Sequence, residues 1–135
     1  MLERLNIAIQ QAEQALLSLQ TVMAITTPTE IERDAAIQRF EFTFEAIWKT
    51  SRIYLRELEG IDSGSPKGVI RACRETGILS VDETILALEM ANDRNLTSHT
   101  YDRDLALEIY ERLAGHTVLM AKWLEKIRAT IKEIS

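Results

Sequence analysis

Apolar residues recur at three- and four-residue steps from Leu2 to Met23, through Leu5, Ile9, Ala12, Leu16 and Leu19. That spacing is the stripe of one long amphipathic helix, and Thr26-Thr27-Pro28-Thr29 ends it. A second helix is expected from about Glu30 to Leu58, stopped by Gly60 and the loop Ser63-Gly64-Ser65-Pro66. Ser65 followed by Pro66 reads as an N-cap with proline at the first helical position, opening a short helix to about Thr76 that Gly77 closes. Ser80-Val81-Asp82-Glu83 has the form of a capping box, so a fourth helix starts there and carries Ile85, Leu88, Met90 and Ala91 toward Arg94. From Asn92 to Tyr101 the periodicity breaks. Asp102 is the expected cap of a last helix, with Asp104 favourable in its first turn. The stripe of that helix is Ala106, Ile109, Leu113, His116, Met120, Trp123, Ile127 and Ile131. The pattern predicts an all-α fold, an antiparallel four- to five-helix up-and-down bundle forming one domain over residues 1–135, without internal repeats.

The second helix carries two apolar strips on a wheel of 100° per residue. Phe40, Phe44, Ile47, Leu55 and Leu58 form one, and Phe42, Ala46 and Ile53 the other, separated by Glu45, Lys49, Arg52 and Arg56. Two strips ask for two partners. Either the helix is sandwiched inside one bundle, or one strip serves a dimer interface.

Composition narrows the function more than the fold. Five glycines and two prolines in 135 residues disfavour both disorder and a strand-and-turn architecture. A net charge of -5 argues against a surface that coats nucleic acid broadly, so any RNA contact has to be local. The single cysteine, Cys73, allows no disulfide within the chain, which suits a reducing cytoplasm. Charges in Met1-Leu2-Glu3-Arg4-Leu5-Asn6 occupy the place where a secretory signal has its apolar core, and no stretch is apolar enough for a membrane span.

Several chemistries are excluded by spacing. Gly64-Ser65-Pro66-Lys67-Gly68 has glycines and a lysine, but not in phosphate-cradling order, and there is no H-E-x-x-H. A di-iron bundle needs Glu three residues before His; Leu96 and Leu113 hold those positions before His99 and His116. No metal site is expected. His116 falls within the apolar stripe of the last helix and reads as a packed or interface histidine without chemistry. His99 lies instead in Asp93-Arg94-Asn95-Leu96-Thr97-Ser98-His99-Thr100-Tyr101-Asp102, where an arginine, an amide, three hydroxyls and an imidazole crowd into ten residues. An Arg-x4-His pair alone says little, but the order Arg-Asn-x3-His-x-Tyr at the end of the penultimate long helix is far more specific.

The segment Arg94-Asn95-Leu96-Thr97-Ser98-His99-Thr100-Tyr101 resembles the R-x4-H-x-Y signature of HEPN proteins, in the subfamily of nucleotidyltransferase substrate-binding proteins or HepT-like toxins. Gln38-Arg39-Phe40-Glu41-Phe42-Thr43-Phe44-Glu45-Ala46-Ile47-Trp48-Lys49 is similar to that subfamily's other recurrent segment. The likeness covers essentially the whole chain. It implies a helical bundle that forms a homodimer in which two R-x4-H segments meet in a cleft. It also implies metal-independent ribonuclease activity on tRNA or other RNA, with no cofactor. The implied partner is a separately encoded minimal nucleotidyltransferase, the antitoxin, which attaches AMP to the tyrosine corresponding to Tyr101.

Cleaving RNA by its own 2'-hydroxyl needs a base for that proton, an acid for the leaving oxygen and a cation beside the crowded phosphate. One His99 cannot fill both proton roles at once, whereas a two-fold dimer supplies it twice. Imidazole's ordinary pKa of about 6.5 suits both. Arg94 is the expected phosphate contact, Asn95 the supporting group, and Lys49, Arg52 and Arg56 candidates for guiding the RNA backbone. A plain solvated face with a Glu45–Lys49 pair is the simpler account of the last three. Two other readings stand beside the nuclease: a non-catalytic adapter that presents substrate to the nucleotidyltransferase, and a helical structural protein with no site.

Overall fold

The structure, a computed structural model, describes residues 2–134. Its elements are α1 (Glu3–Met23), α2 (Glu30–Tyr54), α3 (Pro66–Glu75), α4 (Val81–Leu96) and α5 (Arg103–Ile134), and the described residues contain no strand. The helical bundle read from the periodicity is the observed architecture.

The punctuation acts where the side-chain chemistry placed it. Ser80 Oγ accepts from the Glu83 backbone N–H at 3.1 Å while Glu83 Oε1 accepts from the Ser80 N–H at 2.9 Å. Thr29 and Glu32 make the same reciprocal pair at the start of α2, and Ser65 Oγ accepts from Gly68 N–H at 3.1 Å ahead of Pro66. The two glycines that stop helices do so in the left-handed region, Gly60 at φ 68° and Gly77 at φ 82°. Before Gly60 the helix widens into one π-helical turn, Leu55–Glu59, so the predicted segment to Leu58 is continuous but not uniformly α.

α2 is the centre of the molecule: it packs against each of the other four helices. Phe40, Phe44, Ile47 and Leu55 are wholly buried, with Leu5, Leu19, Ile109, Leu113, Met120 and Trp123 from α1 and α5 around them. A helix with neighbours on several sides needs more than one apolar strip, and this accounts for most of the second one. Ala46 and Ile53 are half-buried against the same core, and only Phe42 stands out, 44% exposed.

Cys73, on α3, is completely buried, and burial pushes its thiol up to about 12. The native protein should therefore react with a thiol reagent at about pH 8 no faster than it unfolds. Rapid stoichiometric labelling without denaturant would contradict that packing.

Candidate functional site

The site is built on the last turn of α4. The helix expected to run toward Arg94 continues through Leu96, past the break in periodicity at Asn92, and is followed by a single 3-10 turn at Thr97–His99. Asp93, Arg94 and Asn95 are therefore helical, and the true turn spans 97–102. What misled the pattern is that three polar residues continue the helix for reasons other than an apolar stripe.

Asp93 points inward and is buried. Its carboxylate receives two hydrogen bonds from Arg112 of α5, Nε at 2.8 Å and Nη2 at 2.7 Å, and lies 2.7 Å from His116 Nε2. His116 in turn stacks on Phe40, ring centroids 5.4 Å apart. Burial alone would push the Asp93 carboxyl up, but the Arg112 and His116 contacts outweigh it and hold it below the usual carboxylate range. His116 is thus the packed histidine expected, with a polar partner that was not.

Arg94, the next residue, turns toward α2. Its Nη1 lies 3.4 Å from Glu41 Oε2 and its Nε 3.4 Å from Glu45 Oε1, while Nη1 donates to Thr97 Oγ1 at 3.1 Å. Glu45 also accepts from Trp48 Nε1 at 3.0 Å, which fixes the carboxylate that fixes the arginine. The result is a half-buried guanidinium set between two carboxylates rather than a free loop cation.

The hydroxyls that made this stretch look chemically dense serve the backbone. Thr97 Oγ1 donates to the Arg94 carbonyl at 2.6 Å, Ser98 Oγ to that of Asn95 at 3.3 Å, and Thr100 Oγ1 to that of Thr97 at 3.2 Å. They occupy carbonyls that a helix C-terminus leaves without partners. Asp102 Oδ1 accepts from the Asp104 and Leu105 N–H groups at 3.1 and 3.2 Å, the cap anticipated for α5.

With the hydroxyls and Asp102 so engaged, the side chains of Asn95, His99 and Tyr101 are left exposed, and none has a hydrogen-bond partner among the described residues. The His99 and Tyr101 rings meet edge to face, centroids 6.1 Å apart, and Tyr101 is 82% exposed. The turn therefore presents an ion-paired arginine at the helix end, followed by an imidazole and a phenol that make no hydrogen bond among the described residues.

Lys49, Arg52 and Arg56 continue the polar face of α2 beyond Glu41 and Glu45, at helical steps that keep all five on one side. Each has a carboxylate: Lys49 pairs with Glu45 at 3.7 Å, and Arg52 and Arg56 with Asp62 at 3.8 and 2.8 Å. With Arg4 of α1 they line a cavity of about 190 Å³. Among the described residues, no three His, Cys, Asp or Glu side chains gather as metal ligands, and no helix is long and apolar enough to cross a membrane.

Glu41, Asp93 and Arg112 were missed by the sequence reading. A signal existed for two of them: Asp93 continues the inward stripe of Ala87 and Met90, and Arg112 stands one turn before His116 on α5. An acid in one stripe facing a histidine in another is a candidate buried pair.

Residues 4–129 match the family model described as nucleotidyltransferase substrate binding protein like. A curated relative, the probable ribonuclease HepT of Haemophilus influenzae, is 28% identical over 98 residues, covering 69% of this chain. The chain spans 65% of that relative's length. A crystal structure from Thermus thermophilus superposes with a TM-score of 0.84 at 51% identity, covering 87% of this chain and 98% of that one. A tri-AMPylated HEPN toxin of Shewanella oneidensis, in complex with its MNT antitoxin, superposes at 0.78 with 16% identity, covering 96% and 99%, a likeness of fold.

The Asp93 cluster makes a pH-dependent contribution to stability. A carboxylate whose folded pKa lies below its unfolded value stabilises above the unfolded value, about 4, and loses that contribution as pH falls through the folded one. Asp93→Asn should be less stable than wild type by about 1–3 kcal/mol near neutrality. Urea unfolding should show the gap narrowing below about pH 4. A gap that stays constant on acidification would show that the charge of Asp93 contributes nothing.

Proposed function

The chain belongs to the nucleotidyltransferase substrate-binding-protein-like family of HEPN, HepT-like proteins, and from that membership we propose that it is the ribonuclease toxin of a two-gene toxin-antitoxin module. The observation that carries the reading is the contrast at the α4–α5 turn: Arg94 is held in place by Glu41 and Glu45, while His99 and Tyr101 stand free beside it in sequence.

In the proposed reaction one His99 takes the proton of an RNA 2'-hydroxyl, whose oxygen attacks the adjacent phosphorus. A second His99 gives a proton to the departing 5'-oxygen, leaving a cyclic phosphate and a free 5'-hydroxyl. Each chain has one His99, so the site is completed by a second copy across a two-fold axis. Arg94 faces the charge that develops on the phosphate, with Asn95 beside it. Glu41 and Glu45 keep the guanidinium oriented until the phosphate displaces part of their contact. Lys49, Arg52, Arg56 and Arg4 contact phosphates farther along the strand. The partner is a minimal nucleotidyltransferase that transfers AMP from ATP to the Tyr101 hydroxyl, releasing pyrophosphate. The adduct places a bulky, phosphate-bearing group beside His99, which blocks access of the RNA and silences the enzyme.

A nuclease assay on the purified chain, with tRNA among the substrates, tests this directly. His99→Ala should lose at least about a hundredfold in cleavage with an unchanged thermal transition, since His99 is exposed and unpartnered. Arg94→Ala should lose activity too, but at a cost of about 1 kcal/mol, because Glu41 and Glu45 are then left facing each other. Activity removed by EDTA and restored by magnesium would refute the mechanism. RNA binding without cleavage by the wild type would favour the adapter.

Tyr101→Phe should remain toxic in cells and resist neutralisation by the partner. If wild type is neutralised while the Tyr101 peptide gains no adenylyl mass, inhibition works through binding and Tyr101 is not the switch.

A further inference from the structure

One cavity is lined by the proposed modification residue, Tyr101, and not by Arg94. It is a cleft of about 220 Å³ between the first turns of α2 and the start of α5, with Tyr101 on its rim. Its apolar lining is Ile37, Ala106 and Leu107. Asp34 lines it as an exposed carboxylate without a partner among the described residues. Arg33 lines it as well, anchored by donating through Nη1 to the Pro28 carbonyl at 3.1 Å, which leaves its other N–H groups available. An Arg103–Glu30 ion pair, joining α5 to α2, completes the lining charges at two positive and two negative.

We propose that this cleft is a nucleotide-binding subsite, taking a base with an exocyclic amine together with its phosphate. Three observations select that chemistry. The cleft is smaller than the roughly 300–1,000 Å³ pockets of drug-sized ligands, so it holds one base and not a dinucleotide. An apolar wall beside an aromatic ring suits the faces of a base, and an unpartnered carboxylate accepts from an amine such as that of adenine or cytosine. The balanced charges suit a neutral base with one phosphate on Arg33, whereas several phosphates seated inside the cleft, or a metal ion, would meet the wrong sign on half of the lining.

Position links the cleft to the reading above, on which its biological role rests. Ile37 precedes Glu41 by one helical turn, about 6 Å along α2, and Glu41 holds Arg94. A nucleotide seated in the cleft therefore meets α2 one turn from the carboxylate that holds the cation assigned to the RNA phosphate. Two sources could supply it. One is the adenylyl group on Tyr101, whose ester bond begins at the mouth of the cleft. The other is a nucleotide of the RNA strand itself.

Amide NMR titration of the full chain tests the proposal without any cleavage. Free AMP should shift the amides of Asp34, Ile37, Thr100, Ala106 and Leu107. Inosine monophosphate, which lacks the amine, should bind more weakly, and Asp34→Ala should erase that preference. Leu107→Trp, a change at a position 44% exposed that fills the cleft, should weaken AMP by about tenfold or more. Two further arms separate the sources: adenylylated wild type, and a single-stranded RNA oligonucleotide added to His99→Ala. Either arm moving the same amides supports the subsite and identifies its occupant. Free AMP that leaves these amides unmoved, or that binds there while neither arm reaches them, overturns it. Cleavage of RNA with an empty cleft would sink the subsite and keep the nuclease. A cleft that takes AMP and a tethered adenylyl group in a protein that cleaves nothing would do the reverse.

Discussion

A buried carboxylate is expensive unless it is paired, and Asp93 is where this fold meets that constraint. The cost is offset by two hydrogen bonds from Arg112 and a third contact from His116, both on α5. Removing either partner leaves charge or polarity unsatisfied between two helices, so the last turn of α4 has one low-energy position against α5. His116 extends the lock to α2 by stacking on Phe40. Three helices are thereby registered at one point, directly beneath the residues to which we assign chemistry.

The consequences follow along the chain. With Asp93 turned inward, Arg94 is rotated by about 100° on the helix and reaches the polar face of α2. There Glu41 and Glu45 take it, and Trp48 steadies Glu45. Beyond Arg94 the backbone has only a short turn in which to reverse into α5. Thr97, Ser98 and Thr100 close that turn by bonding back to carbonyls, leaving His99 and Tyr101 outside it. The exposure of the imidazole and the phenol is thus a product of the turn's hydrogen bonding. α2 serves as the common rail: from its N-terminal end come the cleft beside Tyr101, the carboxylates on Arg94, and then Lys49, Arg52 and Arg56.

The helices were legible because local chemistry announces them: Ser80 with Glu83, Ser65 before Pro66, and Gly60 and Gly77 in the left-handed region. The α4 boundary was not, since Asp93, Arg94 and Asn95 read as a break in an apolar stripe when they are the stripe's polar end. Burial of Asp93 depends on Arg112 and His116, about twenty residues away, and no local pattern carries that pairing. The same holds for Arg94. Its position as a candidate was visible in the Arg-x4-His-x-Tyr spacing, whereas its carboxylate partners on α2 required the fold. For α2 itself, two apolar strips were visible but their partners were not, because one central helix and one interface helix have the same wheel.

The central claim is that a single ribonuclease site needs His99 from two chains. Its most direct test is a mixed dimer, one wild-type chain and one His99→Ala chain carrying different affinity tags, purified through both tags and assayed for RNA cleavage. With one imidazole as base and the other as acid, the mixed species should retain no more than about a hundredth of wild-type activity. Half of the wild-type rate would mean that each chain cleaves with its own histidine, and would contradict the shared site.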